Sequence, residues 1–342
     1  MSLGLTQDAV ASADPPKISK PRPAPATPPD IPPLPPAYFD PNLAVGGQEV
    51  KARKVETRLS VDVLVNGRGP YHFIVDSGAD TSVVGLRIAH DLELPLASPV
   101  VLNAMTARNI VDRVKVDQLT VGSNTISNLE LPALREVDVG GDGMIGIDAL
   151  VQQRLMMDFE KHLIKVEDAR IPERHEPGEI VITARRQRGQ LILTHVKAAG
   201  YDLDAIIDTG SEITIGNLAL RDKLIRHNRD KFVTVPVIGV TGASQDLQFA
   251  RIAELRLGPV TLRDVPMAFA DVPPFKMFGL SDEPALLLGT DLLDTFRRIS
   301  LDFRARKVRF QLRRCEAAVV ISTDPDNFSR ISSNAGQEVC MR

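Results

Sequence analysis

Two short segments of the chain carry residues able to do hydrolytic chemistry. Asp76-Ser77-Gly78 follows the apolar run Phe73-Ile74-Val75, and Asp208-Thr209-Gly210 follows Ala205-Ile206-Ile207. Amide hydrolysis needs a base that takes a proton from water and an acid that protonates the carbonyl oxygen or the leaving amine. Two carboxylates about 3 Å apart supply both, because like charges that close cannot both ionise and the pair shares one proton. Asp76 and Asp208 are therefore the candidate catalytic pair. Ser77 and Thr209 contribute hydroxyls, while Gly78 and Gly210 let the backbone turn tightly and bring N–H groups to the acids. Taken singly, each triplet reads as a surface turn, since Asp, Ser and Gly all form turns.

The elements around the triplets repeat, which favours the sharper reading. Residues 55–65 alternate apolar and polar as a strand does, Asn66-Gly67 is a hairpin signal, and residues 71–75 run apolar into the first acid. Residues 191–196 are rich in strand formers, Gly200-Tyr201-Asp202 predicts a turn, and residues 205–207 run apolar into the second acid. Strand-like residues 81–84 and 213–215 come next, each followed by a helical pattern, over 86–94 and 218–225. Later an apolar-Gly step appears in each half, Ile145-Gly146-Ile147-Asp148 and Leu288-Gly289-Thr290-Asp291. Each step leads through a short helical pattern to a matching strand, Met157-Asp158-Phe159 and Leu301-Asp302-Phe303. The chain is an internal duplication of long period.

These motifs resemble the aspartic protease superfamily, in particular its retropepsin-like group, in which each lobe supplies one Asp-(Thr or Ser)-Gly. Residues 73–81 are close to the retropepsin pattern, and residues 206–214 lie between it and the pepsin pattern. The resemblance implies a mostly β fold: two homologous acid-protease β-barrel lobes in one chain, related by a pseudo-two-fold axis, with short helices. It implies that Ser77 and Thr209 hydrogen-bond across to the opposite loop. It also gives Asp80 and Glu212 a place where retropepsins put an acid, in contact with substrate backbone or an Arg of the other lobe; a solvated turn acid is the plainer alternative. Hairpin flaps are expected at residues 103–109 and 239–245, with Ala104, Met105, Thr241 and Gly242 as candidate substrate contacts. Ser211 can donate to Asp208 whereas Ala79 offers Asp76 no side-chain donor, so the shared proton is expected on Asp76.

The expected organisation is a Pro-rich disordered tether over 1–54, an N-terminal lobe over 55–170, a linker over 171–189, a C-terminal lobe over 190–314 and a tail over 315–342. Residues 15–36 are dominated by Pro and favour extended conformations without a core. Val10-Ala11-Ser12-Ala13 looks like the small-residue end of a secretory signal, and residues 179–186 resemble a short motif of Gram-negative envelope proteins, which together suggest an exported, periplasmic protein. Both cysteines, Cys315 and Cys340, lie in the tail, as a disulfide or as two free thiols. The basic run Arg185-Arg186-Gln187-Arg188 reads as a solvated linker open to nicking.

Composition excludes several other classes. The net charge of −3 gives no electrostatic footprint for nucleic acid, and the absence of Trp argues against base-stacking platforms. No run approaches the roughly twenty apolar residues of a membrane-spanning helix, so the chain is expected to be soluble. His175-Glu176 has no second His at metalloprotease spacing, and the acids of residues 138–143 lack calcium-loop spacing. The reading is thus an aspartic endopeptidase with neither metal nor organic cofactor, a peptide or protein substrate, and intramolecular lobe pairing in a monomer. The rivals are a homodimer with swapped lobes, a catalytically silent peptide-binding module, and an envelope scaffold worked by its Pro-rich arm.

Overall fold

The strands that end in the two acids are each the second arm of a hairpin. Arg58–Val65 turns through Asn66 and Gly67, at φ of 49° and 73°, into Arg68–Val75. Positive φ at both turn residues suits the strand twist, and Asn-Gly adopts it at little cost. The second hairpin joins Gln190–Ala198 to Tyr201–Ile207 through Ala199 and Gly200, one residue earlier than the sequence suggests. The computed structural model describes residues 17–25, 48–55, 58–104, 106–122, 124–150, 153–170, 178–187, 189–225, 232–313, 319–322 and 332–335. Met105, Cys315, Cys340 and the signal-like residues 10–13 lie outside them.

Each acid-bearing strand pairs in parallel with the strand that leads into the apolar-Gly step. Phe73–Val75 lies beside Gly143–Ile145, and residues 204–207 beside Ala285–Leu288. The strand after each triplet, Val83–Gly85 or Ile215–Gly216, pairs antiparallel on the other side of the same step. Each triplet loop therefore straddles its own Gly step. Phe73, Ile74 and Val75 are all buried, as are Ala205, Ile206 and Ile207. Burial on both faces explains why these runs read as continuously apolar and not alternating. The expected helical stretches form as Leu86–Asp91 and Leu218–Ile225.

A six-stranded antiparallel sheet joins the lobes, in the order Gln48–Val55, Leu163–Asp168, Gln153–Asp158, Phe296–Asp302, Lys307–Leu312, Glu179–Gln187. Its central pair crosses from one lobe to the other, with Leu155 opposite Leu301 and Met157 opposite Ile299, all buried. Two ion pairs flank this seam. Arg154 Nε meets Asp302 Oδ2 at 3.3 Å, and Arg298 Nη2 meets Asp158 Oδ2 at 3.3 Å. Asp158 and Asp302 are buried and each also accepts a backbone N–H, from Lys161 and Ala305.

The ends and the middle differ from the expected tether and linker. Within 1–54, Gln48–Val55 is a strand of the joining sheet, and Arg22–Pro23 pairs antiparallel with residues 109–110 of Arg108–Val121. Asp112 anchors that arm, accepting from Ser19 N–H at 2.7 Å and facing Arg22 Nη2 at 3.8 Å. Proline is tolerated there because the arm is an edge strand. Within 171–189, Glu179–Gln187 is a strand, paired with Lys307–Leu312 over residues 179–183 and with Gln190–Ala198 over residues 184–187, with Ile182 and Ala184 buried. In the tail, Val319–Ser322 pairs with Ser332–Ala335.

Candidate active site

The two triplet loops meet at the lobe boundary. Asp76 N–H donates to the Ile145 carbonyl at 2.9 Å and Asp208 N–H to the Leu288 carbonyl at 3.0 Å, so each Gly step fixes the backbone of its acid. Asp76 Oδ1 accepts from the N–H groups of Gly78 at 2.7 Å and Ala79 at 3.0 Å. Asp208 Oδ1 accepts from Gly210 at 3.0 Å and Ser211 at 3.1 Å. These bonds hold each carboxylate in the plane of its own loop.

The hydroxyls cross between lobes. Thr209 Oγ1 accepts from Ser77 N–H at 2.8 Å and donates to the Val75 carbonyl at 2.8 Å. Ser77 Oγ accepts from Thr209 N–H at 3.2 Å and donates to the Ile207 carbonyl at 3.1 Å. Both side chains are buried. The two carboxyl groups are brought close together, each lying against the glycine of the opposite triplet. Glycine is required in both triplets because a Cβ at Gly78 would come within 2.5 Å of Asp208 Cγ, and one at Gly210 would overlap the Asp76 carboxylate.

The environments of the two acids are unequal. Burial pushes Asp76 well above the usual carboxylate range, the facing Asp208 charge pushes it further, and the N–H donors of Gly78 and Ala79 oppose both. Burial raises Asp208 as well, but its coupling to the Asp76 carboxyl, the N–H groups of Ser211 and Gly210, and the Arg58 charge pull it down. Both acids are raised as a coupled pair, and the Arg58 charge bears on the Asp208 side. The contrast between Ala79 and Ser211 is smaller than their side chains suggest, since each gives its N–H to its own acid. The Ser211 hydroxyl donates to the Ile213 carbonyl at 2.8 Å.

A second pair of acids follows the Gly steps, Asp291 buried and Asp148 half-buried. Asp148 accepts from Ser82 N–H at 2.9 Å and Ser82 Oγ at 2.7 Å, and Ser82 Oγ accepts from Gly146 N–H at 3.0 Å. Asp291 repeats this with Thr214, accepting from its N–H at 2.9 Å and its hydroxyl at 2.7 Å, while Thr214 Oγ1 accepts from Gly289 N–H at 3.1 Å. Burial lifts Asp148, and it lifts Asp291 to about 6. The sequence contains the signal, an acid two residues after each Gly of the step, but its partner is a hydroxyl in a distant segment.

The acids after the triplets behave differently from substrate contacts waiting in solvent. Glu212 Oε1 pairs with Arg58 Nη2 of the other lobe at 2.5 Å, and Asp80 is half-buried. A chain reversal closes at each of the two expected places. Ala104 N–H bonds the Ala107 carbonyl at 2.9 Å in one, and Gly239 N–H bonds the Ala243 carbonyl at 2.9 Å in the other. The two hairpins touch, with Thr106 packed against Gly239. Val240 reaches the N-terminal lobe, where it packs on a cluster containing Val83, Val100, Val111 and Val139. Thr241 is buried at this contact, and Gly242 turns at φ 76° beside Arg135. Among the described residues, no group of three or more His, Cys, Asp and Glu is gathered as a metal site would need.

The family model described as aspartyl protease matches residues 61–149 and 194–292, more than half of the chain, with one acid in each segment. The chain belongs to the aspartyl protease family. Among solved structures this aspartyl protease family member is similar to the aspartic proteinase from Irpex lacteus, at 13% identity over 78% of this chain and 97% of that one, with a TM-score of 0.46. None of the curated proteins matches it. No helix among the described residues is long and apolar enough to cross a membrane.

Proposed function

We propose that the chain is an aspartic endopeptidase that hydrolyses peptide bonds with a water activated between Asp76 and Asp208. The observation that carries the reading is the close approach of two carboxyl groups, Asp76 buried and Asp208 half-buried, each fixed by two N–H donors and set against the opposite glycine across interlocked hydroxyls. Asp208, ionised, takes a proton from water as the water oxygen bonds to the scissile carbonyl carbon. Asp76 gives its proton to the carbonyl oxygen, leaving a neutral gem-diol. On collapse, Asp208 passes its proton to the nitrogen as the C–N bond breaks, and one hydroxyl of the diol returns a proton to Asp76. The dyad ends as it began, and no metal or organic cofactor takes part.

Substrate entry requires the flaps to separate, because Thr106 meets Gly239 and Val240 occupies the apolar cluster of the N-terminal lobe. That cluster supports apolar side chains flanking the scissile bond. Two flaps, neither with an aromatic residue at its tip, favour retropepsin-like closure. The working unit proposed is one copy of the chain, exported to the periplasm, with Ala104, Met105, Thr241, Gly242 and Asp80 along the substrate path.

The test is cleavage of a mixed peptide library from about pH 3 to about pH 8 by wild type, Asp76→Asn and Asp208→Asn, with and without pepstatin, at the acid-pair titration range. Loss of cleavage in both variants with retained folding supports the dyad. Cleavage that survives in either variant refutes it, and a folded but inert wild type favours the peptide-binding module.

A further inference from the structure

Arg58 and Gln190 occupy equivalent places in the two lobes. Each opens the strand whose hairpin partner ends in its lobe's acid. Both are buried, and both reach across the lobe boundary to the glycine carbonyl of the opposite triplet. Arg58 Nη1 lies 3.5 Å from the Gly210 carbonyl and donates to the Val139 carbonyl at 3.0 Å. Gln190 Nε2 donates to the Gly78 carbonyl. The hydrogen-bonding task is the same on the two sides, but one side is done by a cation and the other by a neutral amide.

We propose that Arg58 and Gln190 are positioning residues that polarise the dyad, the Arg58 cation holding Asp208 as the base and the neutral Gln190 leaving the proton on Asp76. The inference rests on the dyad reading above and adds the source of its asymmetry. A buried guanidinium favours the charged form of a nearby carboxylate, and a carboxamide of similar reach has no net charge with which to do so. Glu212, the partner of Arg58, is about a third exposed, so water screens its charge more than that of the buried guanidinium. Asp80, at the position equivalent to Glu212, is half-buried. The balance of effects on Asp208 includes the Arg58 charge, whereas no cation is among the main influences on Asp76.

The experiment is the pH dependence of kcat/KM for Arg58→Gln, Arg58→Lys, Gln190→Arg and wild type on one peptide, with thermal unfolding measured alongside. The two limbs report macroscopic ionisations of the coupled pair, so the expected changes are unequal shifts and not the movement of one limb alone. Arg58→Gln should raise the acid limb by about one pH unit, more than the alkaline limb, and Arg58→Lys should restore it. Gln190→Arg should lower the alkaline limb more than the acid limb. Limbs that stay in place while activity falls would mean a structural role and overturn the proposal, as would equal movement of both limbs. If Arg58→Gln does not fold, Gln190→Arg decides by the same criterion. Activity surviving in Asp76→Asn or Asp208→Asn would instead sink the dyad reading, so the two failures are distinguishable.

Discussion

Replacing Thr209 by valine should cost more than any other single-hydroxyl deletion at the lobe boundary. The Thr209 hydroxyl satisfies two buried backbone groups of the other lobe, the Ser77 N–H and the Val75 carbonyl, both at 2.8 Å. Valine fills nearly the same space but bonds neither. Each orphaned group costs about 1–3 kcal/mol, so Thr209→Val should lose about 2–6 kcal/mol. Thr209→Ser keeps the hydroxyl and removes one methyl, worth about 0.8 kcal/mol before any cavity term. Ser77→Ala deletes the longer pair of bonds, at 3.1 and 3.2 Å, and should fall between the two. Urea unfolding of the three variants, with m-values compared, gives the order directly. Equal stability of Thr209→Val and Thr209→Ser would refute the reasoning, because it would mean that the crossed hydroxyl carries no net stabilisation. Peptide cleavage should follow the same order, since the same bonds align the carboxyl groups.

Asp291 should make the fold more stable in acid: its value of about 6 exceeds the ordinary 3.8, so its contribution is complete below that ordinary value and lost as pH rises through about 6. Between about pH 4 and about pH 7 wild type should lose about 3 kcal/mol more than Asp291→Asn, and parallel unfolding curves for the two would count against this. Gly210→Ala should reduce kcat by about 100-fold with the far-UV spectrum unchanged, because its Cβ displaces the Asp76 carboxylate; undiminished turnover would contradict the packing. Deleting residues 1–25 removes the strand on the edge of Arg108–Val121, so amides of residues 108–112 should exchange faster while those of Phe73–Val75 do not.

The duplication was legible in the sequence because its signals are local. An apolar run into Asp-(Ser or Thr)-Gly, and an apolar-Gly step before an acid, need no knowledge of distant residues. Arg58 and Gln190 gave no such signal: their role exists only once the lobes pack and their side chains cross to the opposite loop. Proline-rich sequence has no periodicity to reveal a strand in the arm, whose pairing is supplied by the open edge at residues 109–110. The strand Glu179–Gln187 was hidden by its basic end, although Ile180, Ile182 and Ala184 alternate inward. Glu212 was recognisable as an acid at a meaningful position, but its engagement by Arg58 depends on the other lobe's conformation.

The seam between Gln153–Asp158 and Phe296–Asp302 has a genetic consequence. Where two identical chains build such a cleft, every codon is read into both halves, and a change that helps one half is imposed on its twin. Here the halves sit on one chain, so each codon is expressed on one side alone. Ser77 can face Thr209, Ile147 can correspond to Thr290, and Arg58 to Gln190, without any of these choices having to suit both places at once.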